Sequence, residues 1–159
     1  HKATLRIAGN MHIGNLLQNG FSIYINNLIK KYHLEDNVVL LGSIDANQIV
    51  EELHRCNVCL IPSFVETYCL AFVESMMVGV PTVVSYAGAM PELAKDKDEA
   101  IFYNSNDFIS CSQRILEIVK NKELSEHLSA KCRERRFIEN DISSVVSNQM
   151  NVCNKILMK

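Results

Sequence analysis

Between residues 58 and 86 the sequence sets two short apolar runs on either side of a helical pattern, with almost nothing left over for linkers. Val58-Cys59-Leu60-Ile61 suits a strand buried on both faces. Leu70, Phe72, Val73, Met76 and Met77 then recur at helical spacing, Gly79 and Pro81 stop the helix, and Thr82-Val83-Val84-Ser85-Tyr86 opens a second strand at once. A strand, a helix and a strand in so few residues make a βαβ unit, whose strands run parallel in one sheet.

The same alternation extends along the chain. Strands are expected near 4–9, 38–42, 58–63, 82–86 and 100–103, with helical patterns between most of them. The pattern over about 20–33 presents Phe21, Ile25, Leu28, Ile29 and Tyr32 on one side. Asp45 with Gln48 reads as a capping box opening a helix that carries Ile49, Val50 and Leu53. Beyond residue 105 the pattern is helical only. Asn106 or Asp107 caps a helix over 108–120, another covers about 122–135, and Ile142, Val145, Val146, Met150, Cys153 and Leu157 mark a last one. The expected fold is α/β, a Rossmann-like three-layer parallel sheet with flanking helices and a helical C-terminal segment, in a single domain over residues 1–159.

Composition narrows the partners. With 48% hydrophobic and 21% charged residues the chain can build a core, and a formal charge of −2 offers no general attraction to nucleic acid. No apolar run approaches the roughly 20 residues of a membrane span. The six cysteines are spread through helical and strand patterns, as expected for reduced thiols in a cytoplasmic protein. Cys56-Asn57-Val58-Cys59 matches a CxxC, but no second pair completes a zinc site, and His12, His33, His54 and His127 are scattered. No metal and no cofactor are expected.

Two carboxylates stand out by context. Glu66 falls on the loop after the first strand of the βαβ unit, and Glu74, eight residues on, about a turn inside its helix. Open α/β sheets bind ligands there, just beyond the carboxyl ends of their strands. Glu126 and Glu134 have the same separation in what reads as a solvated helix, so surroundings and not spacing single out the first pair.

Five segments then resemble, in order, one known family: Leu5-Arg6-Ile7-Ala8-Gly9, Val38 to Ile44, Val58 to Ser63, Pro62 to Pro81, and Gly88-Ala89-Met90-Pro91-Glu92-Leu93. Together they are similar to the retaining, nucleotide-sugar-dependent glycosyltransferases of family 4, the group 1 transferases, which have the GT-B fold. The resemblance implies the donor-binding, C-terminal half of such an enzyme. Glu74 would hold the donor's ribose hydroxyls, and Glu66 would be catalytic, holding the transferred sugar through charge-assisted hydrogen bonds. Thr67, Tyr68, Cys69 and Leu70 would border the diphosphate, with the amides of Tyr68 to Leu70 at a helix N-terminus that favours negative charge. Gly9, Gly42, Ser43 and Ile44 would line the base and phosphate pocket with backbone. Many relatives have Gly-Phe-Gly where this chain has Thr67-Tyr68-Cys69, so the sugar pocket is expected to differ in shape.

The resemblance also implies a glycan or lipid-linked acceptor, held by an N-terminal domain. The 159 residues are then expected to be an excised piece, inactive alone, lacking that domain and the sheet's first strand and helix. Glu92 either caps a short helix or touches the donor's edge. Lys131, Arg133, Arg135 and Arg136 read as an exposed helix face, with peripheral contact to the inner face of a membrane as the functional alternative. Other readings of the chain are a nucleotide-sugar epimerase, a glycogen- or sucrose-synthase-type enzyme, and a non-catalytic GT-B-like scaffold.

Overall fold

The computed structural model describes residues 3–9, 20–139 and 141–157. The chain divides into two compact units, residues 1–51 and 52–159.

In the first unit, β1 (Leu5–Ala8), α1 (Gly20–Lys31) and β2 (Val38–Gly42) form a parallel pair and its crossover, followed by the start of α2 (Ala46–Arg55). Leu5 lies opposite Val38 and Ile7 opposite Leu40, and a register shift then sets Ala8 against Gly42. The capping box forms as the sequence predicts. Gln48 donates its backbone N–H to Asp45 Oδ1, Asp45 donates its own to Gln48 Oε1, both at 2.9 Å, and the first turn of α2 is closed from both sides.

The second unit holds β3 (Cys59–Ile61), α3 (Leu70–Val78), β4 (Thr82–Ser85), α4 (Met90–Leu93), β5 (Ile101–Tyr103), α5 (Phe108–Lys120), α6 (Lys122–Glu139) and α7 (Ile142–Leu157). Its strands run parallel in the order β3-β4-β5, with Leu60, Val83 and Ile101 in register. All four residues of β4 are buried, and successive ones serve opposite faces. Val83 joins Ile101, Tyr103, Ile118 and Leu128 on the side of α5 and α6. Val84 joins Phe72, Met76, Met90 and Phe102 on the side of α3 and α4. Strands covered on both faces account for the continuous apolar runs in the sequence.

The central strand also begins on a buried polar residue. The Thr82 hydroxyl lies 2.9 Å from that of Ser75 and 3.0 Å from the Val80 carbonyl, while Ser75 Oγ donates to the Phe72 carbonyl at 2.8 Å. The hydroxyls satisfy each other, so the strand can start inside the core without an orphaned group. α3 stops where expected. Gly79 adopts φ 85, its amide donates to Ser75 O and Met76 O, and Val80 donates to Ser75 O, which together cap the last turn.

The α/β class and helical C-terminus hold, with differences in detail. The five strands pair as two sheets, β1-β2 and β3-β4-β5, and the outer residues of the runs at 4–9 and 58–63 fall outside the ladders. α6 continues past 135 to Glu139, because Arg135 and Arg136 pair with that carboxylate at 2.8 and 3.1 Å and carry the helix through another turn.

Burial makes this unit sensitive to alkali. It pushes Cys59 up to about 12, Cys132 to about 11 and Tyr103 to about 12, against ordinary values of 9.0, 9.0 and 10.0. In the folded state all three keep their protons longer than in the unfolded chain. The stability tied to them is fully present below pH 9 and is lost as pH climbs from about 9 towards 12, because the unfolded chain ionises first. The urea midpoint is therefore expected to fall steadily above about pH 9; a flat midpoint up to pH 11 would contradict this burial.

Candidate functional site

The chain leaves β3 through Pro62 and is caught at once by the neighbouring strand. Ser85, buried at the end of β4, donates its hydroxyl to the Ser63 carbonyl at 2.5 Å. Phe64 and Val65 then face solvent, Val65 at 89% exposure, and the chain turns back to place Glu66 half-buried at the carboxyl end of the sheet. Glu66 Oε1 accepts the Thr67 N–H at 3.2 Å.

Above this turn passes the loop that follows β4. A Cβ on Gly88 would overlap the Glu66 carbonyl oxygen and lie 2.7 Å from its carbon, and Gly88 has φ +50. Only glycine fits, for space and for conformation together. In the sequence Gly88 stands out only as part of a matching segment. Its spacing shows a turn, but which backbone the turn meets is a tertiary fact.

Cys69 is the N-cap of α3, buried, with no capping bond from its side chain. The first i−4 bond of the helix runs from the Val73 N–H to the Cys69 carbonyl at 3.1 Å. The amides without an intrahelical acceptor are thus those of Cys69, Leu70, Ala71 and Phe72. Of the expected Tyr68–Leu70 set, Cys69 and Leu70 are among them, while Tyr68, with Thr67, precedes the helix in the exposed loop. The Cys69 sulfur sits among the Ala71 and Phe72 amides and faces Glu66. Burial raises the thiol, the Phe72 amide opposes this, and the Glu66 charge adds to it, so the thiol stays protonated.

Glu74 is the fifth residue of α3 and exposed, with Phe72, Val73, Ser75 and Met76 buried around it. It shares its open face with Leu70, one turn earlier, at the end carrying the unpaired amides. Glu66, Thr67, Tyr68, Cys69, Leu70 and Glu74 therefore belong to one loop-helix corner, with carboxylates to accept hydroxyls and amides to receive an anion. Among the described residues no group of three or more His, Cys, Asp or Glu could hold a metal ion; His12 lies outside them.

The other expected site residues gather in the first unit. The Gly9 N–H donates to Gly42 O at 2.8 Å, and both glycines have positive φ, 136 and 69, where an added Cβ would meet nothing within 4 Å. Conformation and not crowding calls for glycine there. Ser43 and Ile44 follow, so Gly9, Gly42, Ser43 and Ile44 share the carboxyl ends of β1 and β2.

Two sequence readings change. α4 takes its N-cap from Ala89 without side-chain help, and Glu92 is exposed within its only turn, so Glu92 does not cap the helix. The basic run is not simply a solvated face. Arg133 donates to Val78 O at 2.6 Å, Arg135 to Glu92 O at 2.9 Å, and Arg136, 2% exposed, to Leu93 O. Lys131 remains outside, paired with Glu134 at 2.9 Å.

Comparison with known proteins bears on the family and the fold. The sequence profile of the family described as Glycosyl transferases group 1 matches residues 1–135. N-acetyl-alpha-D-glucosaminyl L-malate synthase of Bacillus anthracis is 26% identical over 130 residues, which are 82% of this chain and 34% of that protein. The C-terminal domain of LpcC, a group 1 glycosyl transferase family protein of Francisella tularensis, superposes with a TM-score of 0.71 at 17% identity, over 78% of this chain and 64% of that one. HepE of Anabaena, solved in complex with UDP, superposes with a TM-score of 0.81 at 17% identity, over 99% of this chain and 41% of that one. The chain spans about a third of the length of the curated relatives it matches. Its fold is that of the C-terminal domain of GT-B glycosyltransferases, and with the profile covering most of its length the chain belongs to the group 1 glycosyltransferase family.

Proposed function

We propose that this chain is the donor-binding domain of a retaining glycosyltransferase that takes its sugar from a nucleoside diphosphate and passes it to a glycan or lipid-linked acceptor. The observation that carries the reading is the corner from Glu66 to Glu74, where two carboxylates and an open helix N-terminus meet at the carboxyl end of a parallel sheet. Anabaena HepE, which has the same fold, was solved with UDP and with UDP-glucose, which favours a uridine nucleotide as first probe.

In this reading Glu74 accepts the ribose hydroxyls and Glu66 the hydroxyls of the sugar that moves. As the bond to the diphosphate breaks, negative charge grows on the leaving group, and the amides of Leu70, Ala71 and Phe72 with the α3 dipole stabilise it. The acceptor is held by a domain outside these residues, and the isolated chain binds donor weakly and transfers nothing. The work takes place in the cytoplasm, where thiols stay reduced.

Titration calorimetry with UDP and UDP-glucose, and steady-state kinetics on the full-length enzyme, test the assignment. Glu74→Gln is expected to weaken donor binding by roughly 1–3 kcal/mol, the range for a hydrogen bond to a charged group. Glu66→Gln is expected to lower kcat more than affinity, since it orients the reacting sugar. Wild-type binding and turnover in both variants would remove the site from this corner. Transfer is also expected to survive EDTA, the helix amides supplying the positive potential; activity lost on chelation and restored by manganese would contradict that.

A further inference from the structure

One helix, α6, holds the carbonyl ends of both α3 and α4. From α6, Ser129 Oγ donates to Gly79 O and Arg133 Nη2 to Val78 O, each at 2.6 Å, at the end of α3. Arg135 Nη2 donates to Glu92 O at 2.9 Å, and Arg136 Nη2 to Leu93 O, at the end of α4. Arg135 is itself fixed by Glu99 at 2.6 Å and Glu139 at 2.8 Å.

The grip on α4 has a consequence for the site. α4 is a single turn of four residues, too short to be stable by itself, so its place is decided by what holds it. It starts two residues after Gly88, whose backbone lies against the Glu66 carbonyl with no room for even one added carbon. A shift of α4 is thus handed directly to the turn that carries Glu66. Arg136 is a costly way to hold the helix: it is 2% exposed, and its Nε has no acceptor among the described residues. A buried charge of this kind is weak evidence for stability, since apolar replacements often do as well. What a guanidinium adds is one defined placement of the carbonyls it binds.

We infer that Arg135 and Arg136 are positioning residues of the donor site, acting through α4 and Gly88 on the backbone of Glu66. The inference rests on the reading of Glu66 as the residue that holds the transferred sugar. Its test uses the full-length enzyme with Arg136→Met, Arg136→Lys and, as a control on the solvated side of α6, Lys131→Met. Hydrogen exchange of residues 63–69 is followed together with β5, and kcat and KM with the best donor from a panel of nucleotide sugars. Arg136→Met is expected to speed exchange of 63–69 and 88–93 at least tenfold with β5 unchanged, and to lower kcat more than it raises KM. Arg136→Lys is expected to recover part of both effects, and Lys131→Met to match wild type. Unchanged protection of 63–69, or equal loosening of β5 in Arg136→Lys, overturns the inference; if Arg136→Met does not fold, Arg136→Lys alone decides in the same terms. If instead 63–69 loosens as expected while Glu66→Gln retains full turnover, the coupling stands and the role of Glu66 is what fails.

Discussion

Replacing Gly88 by alanine is expected to cost about 2–5 kcal/mol of folding stability, the sum of a left-handed backbone and an overpacked contact. At φ +50 an L-residue is strained, and its methyl group would meet backbone and not the end of a side chain. No rotamer change relieves that overlap: either the loop after β4 or the Glu66 turn must move. Gly79 provides the comparison. It also has positive φ, 85, but the nearest atoms to its added Cβ belong to the exposed Arg133 guanidinium, which can swing away at the loss of its bond to Val78 O. Gly79→Ala should therefore cost less, about 1–2 kcal/mol for the conformation and about 0.5–1.5 kcal/mol for that bond. Urea unfolding of the two variants decides the matter. If Gly88→Ala is no worse than Gly79→Ala, the two loops are not locked together.

Phe72→Ala is expected to be comparably severe, at about 3–5 kcal/mol, the usual range for an aromatic residue removed from a core. Its ring is fully buried and meets Phe102 edge-on, with centroids 6.4 Å apart and planes at 87°. The cavity would open beneath α3, two residues before Glu74, between helix and sheet. Leu70→Ala on the same helix removes a side chain that is 65% exposed and should stay within about 0.5 kcal/mol. Near-equal unfolding midpoints for the two variants would mean that α3 does not depend on its inner face. Against a total stability of about 5–15 kcal/mol, either Gly88→Ala or Phe72→Ala can remove a large share.

What the sequence reveals and what it hides follows the range of the interactions. The βαβ unit is legible because buried strands and an amphipathic helix repeat at their own periods, and the ends of α2 and α3 because Asp45, Gln48 and Gly79 act within a few residues of themselves. The start of α3 falls where the apolar pattern from Leu70 puts it, although Cys69 itself carries no local signal for a cap. Glu66 and Glu74 are legible as a pair through their setting between strand and helix. The partners of Gly88 and of the arginines on α6 are not, because each answers to groups between 22 and 55 residues away in the chain: Glu66 for Gly88, Leu93 for Arg136, Val78 for Arg133. A charged residue on a helix reads as solvated until the carbonyl opposite it is known.

The thiol at the head of α3 bears on how such a site would age and how it could be attacked. Cysteines at helix N-termini are commonly activated, because the dipole draws off the proton. Cys69 is the reverse case, since burial and the facing Glu66 carboxylate outweigh the amides and lift it above its ordinary 9.0. It therefore stays a thiol at neutral pH, and the thiolate is the only form that peroxide or an alkylating agent attacks at speed. A thiol in this state is chemically quiet. It should outlast an oxidative burst that disables activated cysteines elsewhere, and covalent inhibitors aimed at it would have to rely on fit and not on reactivity.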